Sequence, residues 1–241
     1  MKIIDVIQQK QAQWIGKRQP VIAFLGDSVT HGCFEIFMKE GKLETKVDMD
    51  YGYIEKIKSI FRHLYPDVPI TYVSAGISGD SADIALTRLQ ADVLDYKPDL
   101  VVVMFGLNDG MQRGEGLDKY RNSLKSIFEE IRKTGAEIIF MTPNLPCDKL
   151  PIPYPEERLN EVIQDVIRVN NEGWFDKYFD EVRELCKEMN IPVCDCNKMW
   201  HTLKDNGVDT NRLLSNRVNH PTREMHWMFA YELVRTMFLE K

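Results

Sequence analysis

Short, unbroken apolar runs alternate along the chain with longer segments in which apolar residues recur at helical spacing. Unbroken runs of this length are typical of strands that are buried on both faces of a parallel sheet. The runs that predict strands are residues 21–25, 70–74, 100–105, 137–141 and 191–194. The pattern therefore predicts a sheet of parallel strands that is crossed by helices.

The segments between these runs predict amphipathic helices, because their apolar residues lie three and four positions apart. The longest of them covers residues 156–189, and we expect it to break near residues 170–173. Strands and helices alternate without an internal repeat or a linker, which predicts a single α/β domain over residues 1–241 with right-handed crossovers.

The two ends of the chain also predict helices. An N-terminal helix would have an apolar side formed by Ile3, Ile4, Ile7 and Trp14. The last helix is expected to begin at Pro221, since proline is favoured in the first turn. The N-terminal segment has neither a continuous apolar stretch nor a small-residue cleavage site, so it does not resemble a signal peptide, and we expect a cytoplasmic location.

Two long loops are predicted after strands, at residues 29–50 and 142–157. Loops at the carboxyl ends of parallel strands form the ligand crevice of open α/β sheets. The first loop has an apolar segment at residues 34–38, which is a candidate pocket wall or lid. The alternative is that this segment packs on the core or on a partner subunit.

Composition and charge exclude several classes of protein. The chain has 241 residues, of which 44% are hydrophobic, so a sizeable core is expected and disorder is not. The net charge is −6 and no basic stripe is present, which argues against nucleic-acid binding. No apolar run is long enough to predict a membrane span. Nothing in the sequence indicates an oligomeric state.

The cysteines indicate neither a disulfide framework nor a metal site. Their number is five, and their spacing is irregular, so we expect reduced thiols. Cys194 and Cys196, with His201 nearby, offer only part of a zinc site. We therefore interpret these two cysteines as small buried side chains at the end of a strand, and we expect no metal.

Polar clusters follow three successive predicted strands, and a fourth precedes the last helix. Because the carboxyl ends of parallel strands meet at one edge of a sheet, the first three clusters should lie close together. Each cluster alone is ordinary turn chemistry, whereas the ordered combination is specific. The clusters are Gly26-Asp27-Ser28, Ser74-Ala75-Gly76-Ile77-Ser78-Gly79, Gly106-Leu107-Asn108-Asp109 and Asn219-His220-Pro221.

These four clusters resemble the four sequence blocks of the SGNH hydrolases, also called the GDSL esterase/lipase family. The resemblance extends from about the first strand to the last helix. It implies a flavodoxin-like, three-layer α/β/α sandwich with a five-stranded parallel sheet in the order 2-1-3-4-5. It also implies hydrolysis of acyl esters, often acetyl esters, through a serine nucleophile without a cofactor or a metal.

The chemistry of ester hydrolysis agrees with the roles that the resemblance implies. Ser28 would attack the acyl carbon, and His220 would act first as base and then as acid. The oxyanion of the tetrahedral intermediate would be held by the main-chain N–H groups of Ser28 and Gly76 and by the side chain of Asn108. We interpret Asp27 and Asp109 as structural residues that bond turn amides.

One position departs from the family pattern. An acidic residue usually stands three positions before the histidine, but this chain has Arg217 there, and arginine cannot accept the imidazole N–H. Asn216 or a main-chain carbonyl could orient the ring of His220. Alternatively, Glu224 could reach back from one helical turn after the histidine.

The sequence thus predicts a serine esterase that acts on a small acylated molecule, with a preference for a carbohydrate or glycoconjugate ester. A lysophospholipase or thioesterase of the same mechanism is an alternative. A flavodoxin-like binding module, with Ser28 and Thr30 cradling a phosphate, is another, although the usual glycine-rich phosphate-binding motifs are absent. A catalytically silent relative that binds another protein is the third.

Overall fold

The computed structural model describes residues 1–150 and 152–239, and its centre is a five-stranded parallel sheet. The strands are β1 (Val21–Gly26), β2 (Cys33–Lys39), β3 (Lys42–Val47), β4 (Thr71–Gly76), β5 (Leu100–Met104), β6 (Glu137–Met141) and β7 (Val193–Cys194). The central sheet has the order β4-β1-β5-β6-β7, while β2 and β3 form a separate antiparallel pair. The predicted order 2-1-3-4-5 is confirmed.

Helices cover both faces of this sheet. They are α1 (Lys2–Ala12), α2 (Ser28–His31), α3 (Tyr53–Leu64), α4 (Ala82–Asp92), α5 (Arg113–Lys133), α6 (Glu157–Asn171), α7 (Trp174–Glu188), α8 (Cys196–Asp205) and α9 (Met225–Leu239). Helices α3 and α9 pack together, whereas α4, α5 and α7 form the other layer. The result is the three-layer α/β/α sandwich that the resemblance to the SGNH hydrolases implies.

The centre of the sheet is buried, as the unbroken apolar runs indicate. Every residue of β1 and β5 is buried. In the register of β1 and β4, Gly26 lies opposite Gly76 at the end of both strands. The segments after β1, β4 and β5 therefore leave the sheet at the same edge, where the polar clusters meet.

The predicted loop at residues 29–50 contains regular structure instead. It forms α2, the β2–β3 hairpin and a 3₁₀ turn at Met49–Tyr51. Glu40 and Gly41 connect the two hairpin strands, and both have positive φ, which suits the right-handed twist of a two-residue hairpin turn. Both interpretations of the apolar segment hold in part, because Phe34 is fully buried in the core and Ile36 lines a cavity.

Two helix boundaries differ from the prediction. The last helix begins at Met225 and not at Pro221, because Pro221 pairs with Leu214 in an antiparallel bridge that keeps the chain extended. Helix α1 ends at Ala12, so Trp14 lies beyond it and is exposed.

Other predictions about helices and loops agree with the structure. The long helical segment is interrupted at Gly173, which has a φ of +77°, between α6 and α7. The loop at residues 142–157 has neither helix nor strand from 142 to 156 in its described part, and Pro151 lies outside the described residues. No helix in the described ranges has the length and apolar character to cross a membrane. The cytoplasmic location stays a prediction.

Candidate active site

Ser28 begins the short helix α2, directly after the central strand β1. The turn before it is tight, because a Cβ on Gly26 would lie 2.2 Å from the hydroxyl oxygen of Thr30. Asp27 caps the helix, and its carboxylate accepts a hydrogen bond of 3.0 Å from the N–H of Val29. The glycine and the cap together hold the main chain of Ser28 at the edge of the sheet.

His220 reaches Ser28 from the segment before α9. Its Nε2 lies 3.0 Å from Ser28 Oγ, and its Nδ1 lies 2.8 Å from the main-chain oxygen of Phe34. A carbonyl oxygen only accepts, so Nδ1 carries the proton and Nε2 is free to accept the serine hydroxyl. Burial lowers the pKa of His220 to about 4, which keeps the ring neutral at neutral pH.

A main-chain carbonyl thus occupies the position where a triad has its acid. Arg217 is exposed, and its guanidinium carbon lies 5.5 Å from the centre of the Tyr154 ring. Glu224 is also exposed, and it does not take the Nδ1 position. Of the three orienting groups that the sequence left open, the structure places the main-chain carbonyl against the ring.

Asn216 holds the segment that carries the histidine rather than the imidazole. Its side-chain oxygen accepts hydrogen bonds from the N–H groups of Val218, Asn219 and His220 at 3.0, 2.9 and 2.8 Å. Its main-chain oxygen accepts a bond of 2.8 Å from the hydroxyl of Tyr154. These bonds fix the main chain from which His220 projects.

Asn108 lies after β5, on the other side of Ser28. Its amide nitrogen donates a hydrogen bond of 2.7 Å to the main-chain oxygen of Asp80, which sets the orientation of the side chain. Asn108 lines the same cavity as Ser28 and His220. The candidate nucleophile Ser28, the candidate base His220 and the candidate oxyanion donor Asn108 therefore line one cavity.

The structure does not bring Gly76 to this cavity. Strand β4 continues through Gly76, two residues beyond its predicted end, and a Cβ there would lie 2.3 Å from the main-chain nitrogen of His31. The lack of a side chain at Gly76 therefore permits close packing of the main chain. Gly79, three residues later, has a φ of +80° and lines the cavity.

The carboxylates of Asp27 and Asp109 are buried next to turn amides, in keeping with a structural role. Asp109 accepts a hydrogen bond of 2.9 Å from the N–H of Ala82. Burial is the main cause that raises the pKa of Asp27 to about 7 and that of Asp109 to about 6. The hydrogen-bond partners of the His220 ring are Phe34 and Ser28, and neither aspartate is among them.

Arg88 is a residue of this edge that the sequence analysis missed. Its Nε donates to Asp80 at 2.9 Å, and its terminal nitrogens reach the main-chain oxygens of Ala75 at 2.9 Å and Gly26 at 3.3 Å. The side chain of Asp80 is 1% exposed, so this ion pair lies inside the protein. The sequence signal that could have indicated a buried role for Arg88 was its position next to the apolar residue Leu89 in helix α4, which is buried.

The cavity around these groups has a volume of about 240 Å³. The walls away from the polar groups are mostly apolar. They are formed by Ile36, Leu43 and Thr45 of the hairpin, Val162 and Val166 of α6, and by Met111 and Phe175.

Cys194 and Cys196 lie elsewhere, at the end of β7 and the start of α8. Both are buried, and their sulfur atoms are 3.7 Å apart. Within residues 1–150 and 152–239, no group of three or more histidine, cysteine, aspartate or glutamate side chains is arranged to hold a metal ion.

Comparison with known proteins identifies the family of this chain. The sequence model of the GDSL-like lipase/acylhydrolase family matches residues 24–228, and the chain belongs to this family. It is thus a hydrolase that acts on ester bonds.

Individual relatives support the family and the fold. An acetylxylan esterase from Geobacillus stearothermophilus is 30% identical over 232 residues, which are 91% of this chain and 94% of that enzyme. The thioesterase 1/protease 1/lysophospholipase L1 of Escherichia coli K12 is 34% identical over 58% of this chain and 59% of its own. The crystal structure of an Enterococcus faecalis lipase/acylhydrolase superposes with a TM-score of 0.66 at 20% identity, covering 91% of this chain and 95% of that one.

Proposed function

We propose that Ser28 and His220 form a catalytic dyad that hydrolyses a short acyl ester through an acyl-enzyme. The observation that carries the proposal is the distance of 3.0 Å between Ser28 Oγ and His220 Nε2, on a ring whose Nδ1 is bonded to a carbonyl. Nε2 takes the hydroxyl proton as the oxygen attacks the acyl carbon. It then gives this proton to the leaving alcohol, and water repeats the sequence to release the acid.

The oxyanion of each tetrahedral intermediate is held on the opposite side of Ser28. The donors in this proposal are the main-chain N–H of Ser28, the amide of Asn108 and the main-chain N–H of Gly79. Gly79 replaces Gly76 because it lines the cavity and has open space where a Cβ would stand. A preorganised donor of this kind stabilises the transition state by roughly 3–4 kcal/mol.

The substrate in this proposal is an acetyl or similarly short ester, on a carbohydrate or glycoconjugate. A cavity of about 240 Å³ supports a short acyl group. The relative whose sequence this chain matches over 94% of its length is an acetylxylan esterase. The apolar walls from the hairpin and α6 are the observation that favours a thioesterase or lysophospholipase as the second candidate. A phosphate cradle at Ser28 is not favoured, because its hydroxyl is bonded to His220.

The test combines active-site labelling with a panel of esters. A fluorophosphonate should label Ser28, and Ser28→Ala should lose both the label and the hydrolysis. Among acyl chains from acetyl to decanoyl on one alcohol, kcat/KM should be highest for acetyl and fall as the chain lengthens. A label on another serine would refute the dyad, and a maximum at long chains would favour the second candidate.

A further inference from the structure

The carbonyl that orients His220 belongs to the β2–β3 hairpin, which lies outside the central sheet. Phe34 contributes this oxygen from the second position of β2. Its ring is fully buried and lies 5.0 Å from the ring of His226. The position of the base therefore depends on how the first residues of β2 are held against the segment that carries His220.

Arg223 makes a second link between these two segments. It donates two hydrogen bonds to the carboxylate of Glu35, at 2.6 and 3.1 Å, and it lies 3.5 Å from the carboxylate of Asp48. Its guanidinium carbon stands 4.2 Å from the centre of the Phe34 ring. One side chain thus contacts the residue that orients His220, the residue after it, and the residue that follows β3.

The two links run side by side. His220 and Arg223 are three residues apart on one segment, and they bond to the neighbouring residues Phe34 and Glu35 on the other. Arginine suits this place because its planar fork matches a carboxylate and its flat face stacks on an aromatic ring. The Arg223 side chain is 24% exposed, so water screens its charge less than at the open surface.

We propose that Arg223 is a positioning residue for the dyad, acting with Glu35 and Asp48 as a clamp that holds the Phe34 carbonyl against His220. The proposal rests on the proposed function, because it needs His220 to be the base. The clamp does not touch the substrate. It keeps Nδ1 protonated and Nε2 aimed at Ser28, in place of the acid that this chain lacks three positions before the histidine.

The electrostatic surroundings agree with the geometry. The hydrogen bond from Arg223 is the main cause that holds the pKa of Glu35 below its usual range, so Glu35 is a carboxylate at neutral pH. The charge of Glu35 raises the pKa of His220, in opposition to the larger effect of burial. The carboxylate of Glu35 thus favours the imidazolium of His220, as does the hydrogen bond to Phe34.

The test is a double-mutant cycle with a small acetyl ester, using Arg223→Met, Glu35→Gln and the double variant. A base displaced by about 1 Å loses up to about 100-fold in rate, so we expect each single change to lower kcat by about 10- to 100-fold with KM changed less than about threefold. The double variant should lose no more than the worse single one, because both remove the same link.

The matched control is Arg235→Met. Arg235 pairs with Glu232 on the exposed side of α9, at 2.9 Å. Its substitution should leave kcat unchanged. Nitrogen NMR of the labelled histidine ring adds a readout that general loss of stability would not produce. In the wild type the His220 signals should show the proton on Nδ1, and Arg223→Met should increase the tautomer with the proton on Nε2.

The outcomes separate the two proposals. If the wild type fails to hydrolyse esters or to label at Ser28, the dyad is wrong. If the wild type is active and the folded variants keep kcat within about twofold, or keep the tautomer of His220, the clamp is wrong. Should Arg223→Met not fold, Glu35→Gln tests the same link from the exposed side, and unchanged kcat and tautomer in that variant overturn the proposal.

Discussion

The two sides of Ser28 are held by different means. On the proposed oxyanion side, Arg88 joins the ends of β1 and β4 to the buried carboxylate of Asp80, and the main-chain oxygen of Asp80 orients Asn108. On the histidine side, the ring of His220 is oriented by a main-chain oxygen of a hairpin, and the nearest charged pair is partly exposed.

The difference shows which parts of the site depend on the sheet. Segments that leave adjacent strands start from fixed positions, so one buried ion pair suffices to join them. The hairpin follows β1 through the short helix α2 but does not pair with the central sheet, and several contacts of its own hold it against the final segment. Substitutions on the oxyanion side should therefore affect stability as well as rate, whereas those on the histidine side should affect mainly the rate.

The largest expected effect is on the histidine side. His220→Ala removes the proposed base and should lower kcat by about 10⁵- to 10⁶-fold. Losses of this size occur in serine hydrolases when the catalytic histidine is removed, because the nucleophile and the base act together. Steady-state rates and fluorophosphonate labelling measure it. The matched control is Glu224→Gln, which should leave kcat within about twofold. A loss of about 10,000-fold in that control would show that the carboxylate orients the ring after all.

Asn108→Ala tests the oxyanion side. In the proposed function its amide acts on charge that develops in the transition state, so kcat should fall by about 100- to 1,000-fold with little change in KM. Initial rates over a range of substrate concentrations separate the two constants. An increase in KM alone would mean that Asn108 binds the substrate and does not stabilise the oxyanion.

Arg88→Met sharpens the comparison through stability. The substitution leaves the carboxylate of Asp80 buried without its partner, which typically lowers the free energy of unfolding by about 3–5 kcal/mol. Urea unfolding followed by circular dichroism measures the change. Arg121→Met, which breaks more exposed pairs with Glu181 and Glu188, is the control and should cost less than about 1 kcal/mol per pair. Equal effects of the two substitutions would show that Arg88 contributes no more to stability than an exposed ion pair does.

The smallest expected effect concerns the pH dependence of kcat/KM, where the usual loss from histidine protonation should be absent. A protonated His220 cannot accept the serine proton, so kcat/KM falls as the pH drops through the pKa of the free enzyme. That pKa is lowered to about 4, so protonation of His220 should cause no loss of kcat/KM from about pH 8 to about pH 5.5, and any titration in this range should come from Asp27 or Asp109, whose pKa values burial raises to about 7 and about 6. A half-maximal value near pH 6.5 that persists in Asp27→Asn and in Asp109→Asn would show that the ring is more open to water than the structure indicates.

Local patterns in the sequence were enough for the buried strands and the alternation of strands and helices, and the resemblance to a family added the sheet order and the candidate side chains Ser28, Asn108 and His220. Buried strands have unbroken apolar runs, and reactive side chains have recognisable neighbours, so both leave a signal over a few residues. Only tertiary contacts decided the partner of the imidazole, since a main-chain oxygen such as that of Phe34 is present at every residue and carries no signature. The end of β4, and with it the exchange of Gly76 for Gly79 at the cavity, depended on pairing with β1. Arg223 escaped prediction because its partner Glu35 lies 188 residues away along the chain. The hairpin is local, and its turn at Glu40 and Gly41 was a signal that the sequence analysis missed.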